Sequence, residues 1–149
     1  MHIAETPAGY FRNSHHKAQI NLLFTCNWIQ EKVKAILGNE DITPQQYNIL
    51  QILKQHNGPL STLTIRQRML DKMSDASRIV DRLLRKELVD KKTSAVDKRL
   101  VDVTINEKGL ALLERVSNKN EQMDAVLSNL SAEEAETLNN LLDKARGKN

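Results

Sequence analysis

Apolar residues recur at helical spacing along most of this 149-residue chain, with one interval where the period changes to two. From about His15 to Leu37, the positions Ile20, Leu23, Phe24, Trp28 and Ile36 predict a long amphipathic first helix, and Gly38-Asn39 stops it. Thr43-Pro44-Gln45-Gln46 predicts a sharp second start: the threonine caps, the proline suits the first turn and Gln46 completes a capping box. That helix reaches about Gln55 behind a stripe of Tyr47, Ile49, Leu50, Ile52 and Leu53, and Asn57-Gly58-Pro59 breaks it. Ser61 or Thr62 caps a short third helix carrying Leu63, Ile65 and Met69. Asp71 or Ser74 then opens a fourth, through about Lys86. Its core side carries Ala76, Ile79, Val80, Leu83 and Leu84, and Asp75, Ser77, Arg78, Arg82 and Arg85 project from the others.

Alternation replaces this period from Leu88 to Lys92 and from Leu100 to Ile105, which predicts two short strands. The polar loop Thr93 to Arg99 joins them as a β-hairpin with a protruding tip. Asn106 caps a fifth helix carrying Leu110, Leu113, Val116, Met123, Val126 and Leu127. At roughly 20 residues it is too long for one small domain to bury, and it is expected to pack on a partner. Ser131-Ala132-Glu133-Glu134 is a second capping box, opening a last helix with Leu138, Leu141 and Leu142. The fold class is therefore mainly α with a small β-hairpin wing.

Charge changes this picture. The total of 22 Lys and Arg against 19 Asp and Glu gives only +3, too little to imply any partner. Between Ser61 and Leu100, however, eleven basic residues face six acidic ones, a net +5, which leaves −2 for the rest of the chain. Such asymmetry fits a local polyanion-binding face, and equally a solvated helix surface.

Composition removes other classes. The glycines at 9, 38, 58, 109 and 147 are too far apart for a dinucleotide fingerprint, a phosphate loop or a nucleophile elbow. The five aromatics (Tyr10, Phe11, Phe24, Trp28, Tyr47) leave everything after position 47 without a ring on which an unpaired base could stack. One cysteine excludes an intrachain disulfide and two-cysteine metal or redox motifs. No apolar run approaches bilayer length, and the first 17 residues hold no signal-like stretch, so a cytoplasmic location and no membrane partner are expected.

The order short helix, turn, basic helix, strand, polar loop, strand is that of a winged helix-turn-helix, spanning 42–105. A major groove about 12 Å wide admits one helix, whose outer face should combine small polar residues with arginines. The expected DNA contacts are Ser61, Thr62, Ser74, Asp75, Ser77, Arg78, Arg82, Lys92, Ser94, Lys98 and Arg99, with Asp97 orienting the wing arginine rather than touching DNA. Arg99 at the hairpin tip is suited to the negative potential of a narrow minor groove. Against this stands a helix whose Arg78, Arg82 and Arg85 pair with Asp75 and Asp81. A protein-interaction module that does not bind DNA is the rival function. An enzyme is remote, since no nucleophile–base pair, carboxylate dyad or metal cluster is apparent.

Nearly the whole chain resembles the MarR-type transcriptional regulators. The resemblance rests on Ile42-Thr43-Pro44-Gln45-Gln46-Tyr47, Ser77-Arg78-Ile79-Val80-Asp81-Arg82-Leu83, the wing Asp97-Lys98-Arg99-Leu100-Val101, and Thr104-Ile105-Asn106-Glu107-Lys108-Gly109. It implies a single domain over 1–149 and a homodimer held by helices within 12–38 and 106–146. It also implies a pseudo-palindromic double-stranded operator, and release of DNA when a small ligand or an oxidant acts. Glu87 departs from the family's usual glycine at the end of the recognition helix. No cofactor is implied beyond an unidentified effector.

Among the remaining features, Cys26 is expected to be a buried structural thiol. His15-His16, with His2, are expected at the surface, because adjacent histidines do not share a helix face, and no metal is proposed. Phe24 and Trp28 are expected in the core, with an aromatic-effector cavity as the alternative.

Overall fold

The computed structural model describes residues 10–147. Helix α1 (Ser14–Leu37) starts on Asn13, whose side chain accepts the His16 N–H, and runs into a 3₁₀ turn at Gly38–Glu40. Helix α2 (Pro44–His56) carries the reciprocal box written in its sequence. Thr43 Oγ1 accepts the Gln46 N–H at 3.2 Å, and Gln46 Oε1 accepts the Thr43 N–H at 3.1 Å. Strand β1 (Leu60–Ser61) leads into α3 (Thr62–Arg68), and α4 (Ala76–Arg85) follows a turn. The hairpin is β2 (Val89–Thr93) and β3 (Val101–Ile105).

Strand β1 is absent from the sequence reading, because two residues cannot display an alternation. It adds to the free edge of β3, with Leu60 opposite Val103, so the antiparallel sheet runs β1-β3-β2. The wing is thereby fastened to the start of α3.

The expected long fifth helix is broken. It divides into α5 (Glu107–Ser117), α6 (Asn120–Asp124) and a 3₁₀ turn at Ala125–Leu127. A tertiary tie accompanies the break at Lys119. Its Nζ donates to the Ile36 carbonyl at 3.1 Å and lies 3.7 Å from Glu40, which also accepts from Arg115 Nε at 3.1 Å. Helix α7 (Ala132–Ala145) opens on the Ser131–Glu134 box.

The core lies inside the winged helix and α5. Ile49, Leu50 and Leu53 of α2 meet Ile65 of α3, Val80 and Leu83 of α4, Val89 and Val103 of the wing, and Leu112, Leu113 and Val116 of α5. Gly109 lets α5 reach this core. A Cβ there would collide with the Leu88 carbonyl and stand 2.7 Å from Ile105 Cγ1, so the first turn of α5 can rest on the hairpin only without a side chain. By contrast α1 buries Leu37 alone, and α6 and α7 bury nothing. No helix among the described residues is long and apolar enough to cross a membrane.

Candidate nucleic-acid interface

Two capped turns set the interface. Ser61 is the N-cap of α3, its hydroxyl accepting the Thr64 N–H at 3.1 Å, with Thr62 the first helical residue. The turn from α3 to α4 is held by Asn48, whose Oδ1 accepts the Leu70 N–H at 3.0 Å, and by Asp71. Asp71 Oδ2 accepts the Ser74 hydroxyl at 2.7 Å and Oδ1 accepts the Met73 N–H at 2.9 Å. These bonds, the Ser74 hydroxyl foremost, hold the Asp71 carboxyl below the usual carboxylate range. Neither Asp71 nor Ser74 caps α4. Asp75 does, accepting the Arg78 N–H at 3.1 Å, because Asp71 and Ser74 are occupied with each other one turn earlier.

Helix α4 buries Ala76, Val80 and Leu83 against the core and exposes Ser77, Arg78, Asp81, Arg82 and Arg85. Pairing of these arginines with Asp75 and Asp81 is not found. Asp75 is taken by the cap, and Asp81 pairs with Lys91 on β2 at 3.3 Å. Among the described residues Arg66 and Arg68 of α3, Arg78, Arg82 and Arg85 of α4, and Lys92 and Lys98 of the wing form no ion pair. Arg66, which lines a groove with Asp75 and Ser77 at the start of α4, is a cation outside the expected contacts.

The end of α4 explains how Glu87 stands in for glycine. Glu87 adopts a left-handed conformation at φ 57°. Its N–H donates to the Leu84 carbonyl at 2.9 Å, and the Leu88 N–H donates to that of Leu83 at 3.0 Å, which is a Schellman closure with buried Leu83 and Leu88 as its apolar contact. Asn106 secures it from α5: its Nδ2 donates to the Glu87 carbonyl at 2.9 Å while its Oδ1 caps α5 through the Gly109 N–H at 3.0 Å. The non-glycine cap is maintained by its neighbours.

At the wing, Arg99 meets Asp97 in a bidentate pair, Nε to Oδ1 at 3.1 Å and Nη2 to Oδ2 at 3.0 Å, with the Arg99 side chain 90% exposed. The Arg99 guanidinium is the main reason the Asp97 carboxyl lies below its ordinary range. Lys92 and Lys98 are exposed nearby. Ser94 departs from expectation. It is 6% exposed, and its hydroxyl accepts the Val96 and Asp97 N–H groups at 3.2 and 3.4 Å. It shapes the loop from inside and is not available to a DNA surface.

The arms also correct the sequence reading. Cys26 is exposed rather than buried, and Phe24 is 40% exposed. Trp28 is half-buried and lines a crevice of about 390 Å³ between α1 and the segment 122–129, together with Lys32, Ile36, Gln122, Val126 and Asn129. These residues fail to enter a core because α1 has so little of its own chain to lie against. His16 Nδ1 accepts the Arg12 N–H at 3.2 Å on the exposed start of α1. His2 lies outside the described residues, among which no group of three His, Cys, Asp or Glu side chains is assembled to hold a metal.

A basic helix set beside a braced, arginine-tipped hairpin defines a winged-helix DNA-binding protein. Comparison with known proteins agrees. The sequence profile of the MarR family matches residues 40–100. The HTH-type transcriptional repressor MdtR of Bacillus subtilis (strain 168) is 30% identical over 117 residues, 78% of this chain and 75% of the relative. The HTH-type transcriptional regulator MhqR of the same organism is 27% identical over 117 residues, 78% of this chain and 80% of that protein. A mutant MarR from E. coli, solved in complex with operator DNA, superposes with a TM-score of 0.76 at 25% identity, covering 84% of this chain and 91% of that one. The chain belongs to the MarR family. It is thus a DNA-binding transcriptional regulator, which sets aside both the enzyme and the protein-interaction module.

Proposed function

We propose that the chain is a cytoplasmic, ligand-responsive repressor that binds a pseudo-palindromic operator as a homodimer. The observation that carries this reading is the set of cations on α3, α4 and the wing that lack carboxylate partners among the described residues. Helix α4 enters the major groove through Ser77, Arg78 and Arg82, Ser61 and Thr62 approach phosphate at the start of α3, and Arg99 enters the flanking minor groove. Repression follows the role of the relative MdtR, a transcriptional repressor. The apolar residues left exposed on α1 and α7 supply the dimer contact.

The α1 crevice is the effector site in this reading. Trp28 offers a ring face and Lys32 a cation, which suits a small aromatic anion. Filling the crevice would press on the segment that Lys119 ties to Ile36 and Glu40, and so shift the arms relative to α2.

Selection of bound duplexes from a random pool tests the operator reading. The expected product is an inverted repeat whose half-site centres lie about 10 to 10.5 base pairs apart. Failure to enrich any duplex, or enrichment of a single unrepeated site, would overturn it.

A further inference from the structure

Beside Arg66, one of the unpaired cations, stand exposed apolar side chains. Met73 is 94% exposed in the turn before α4, and Leu63 is 58% exposed on α3. They are not scattered. Both line one groove of about 410 Å³ between the first turns of α3 and α4, together with Arg66, Asp75 and Ser77. A phosphate is a poor occupant for this groove, because the Asp75 carboxylate stands in its wall and would repel it. A base edge suits it better: uncharged, presented by the same duplex that the surrounding cations attract, and partly apolar.

The four bases differ in what they offer there. Guanine shows two acceptors, which suit an arginine such as Arg78, and only thymine shows a methyl group beside an acceptor oxygen. The groove matches that pair. Met73 and Leu63 supply the apolar contact, and Ser77, whose hydroxyl makes no hydrogen bond among the described residues, supplies the donor for O4. Ser74 is less suited, since its hydroxyl proton is already given to Asp71. We propose that Met73 and Leu63, with Ser77, read the C5-methyl edge of one thymine in each half-site, and so set operator specificity beside the arginine contacts. The inference rests on α4 lying in the major groove, and it names what the apolar part of that surface is for.

The test uses the full chain and the duplex enriched by the selection above. Each thymine is replaced in turn by deoxyuridine, which lacks only the methyl group, and binding is followed by fluorescence anisotropy. At one position per half-site deoxyuridine should weaken binding about four-fold, the value of one buried methyl-sized group. In the doubly substituted Met73→Ala, Leu63→Ala chain, the ratio between thymine and deoxyuridine at that position should fall to about one. Arg78→Ala should weaken binding of both duplexes while keeping the ratio. A flat scan in the unaltered chain, a half-site without thymine, or a methyl effect undiminished in the double variant would each overturn the inference while leaving DNA binding intact. Absence of any enriched duplex would overturn the groove assignment along with it.

Discussion

Leu83 in α4 and Leu141 in α7 are both leucines at helical spacing, yet the first is fully buried and the second is 58% exposed. The same contrast separates two regions of the molecule. From Leu37 to Val116 the apolar stripes of α2, α3, α4, the wing and α5 close on one another and leave a core. Outside that interval Leu22, Leu23 and Phe24 on α1, Leu127, and Leu141 on α7 remain open. A stripe is thus only a demand for burial; the winged helix meets most of it within the chain while leaving Leu63 and Met73 open beside Arg66, and the arms need a second copy. The division suits a regulator: a DNA reader with its own core is coupled to a part whose packing depends on assembly.

Breaking the self-contained half should have the largest effect. Leu83→Ala leaves a hole in the core and is expected to lower stability by about 2–5 kcal/mol, measured by urea unfolding. Gly109→Ala forces a side chain against the Leu88 carbonyl and should cost about 1–3 kcal/mol, at all protein concentrations. The arms should respond differently. The doubly substituted Leu23→Asp, Leu141→Asp chain is expected to become monomeric in light scattering after size exclusion, while its far-ultraviolet spectrum keeps the helical signature. An unchanged molar mass would show that the open stripes are not the dimer contact.

Smaller changes sharpen the boundary between the halves. Asn106→Ala removes both the α5 cap and the brace on Glu87, and a loss of about 1–2 kcal/mol in urea unfolding is expected. Glu87→Gly relieves a left-handed backbone and should raise stability by about 1 kcal/mol. Trp28 is the sole tryptophan, so benzoate or phenolate entering the crevice should quench its fluorescence saturably, and Lys32→Ala should weaken that response.

The wing pair has the smallest effect. The Asp97 carboxyl titrates below its ordinary value of about 3.9, so the pairing is present at neutral pH and lost only as pH falls through the depressed value. The carboxyl resonance of Asp97 should report this, and Arg99→Ala should return its midpoint toward the ordinary value. Because Arg99 is exposed and Asp97 only part-buried at the surface, no measurable change in unfolding is expected.

Local signals were the legible ones. Thr43, Asn106 and Ser131 each cap the helix that their spacing announces, and the change from a period of 3.6 to two marks the hairpin within a residue. Long-range facts were not. Strand β1 is two residues whose partner lies more than forty positions on, and the tie at Lys119 reaches back to Ile36. The cap of α4, expected at Asp71 or Ser74, falls instead on Asp75, because a side-chain acceptor in the sequence does not show whether the folded turn leaves it free. Ser94 has the composition of a surface residue and the position of a loop staple. Cys26 and Phe24 were expected inside because apolar periodicity does not say whether the covering surface comes from the same chain.

The central claim is that the unpaired cations of α3, α4 and the wing bind duplex DNA, and salt dependence tests it most directly. Affinity for the enriched duplex, measured between 50 and 200 mM salt, should fall linearly on logarithmic axes with a slope near −0.9 per phosphate neutralised. Replacing Arg82 and Lys98 with alanine should flatten that slope by about one to two. An affinity indifferent to salt, or a slope unchanged in the double variant, would contradict the claim.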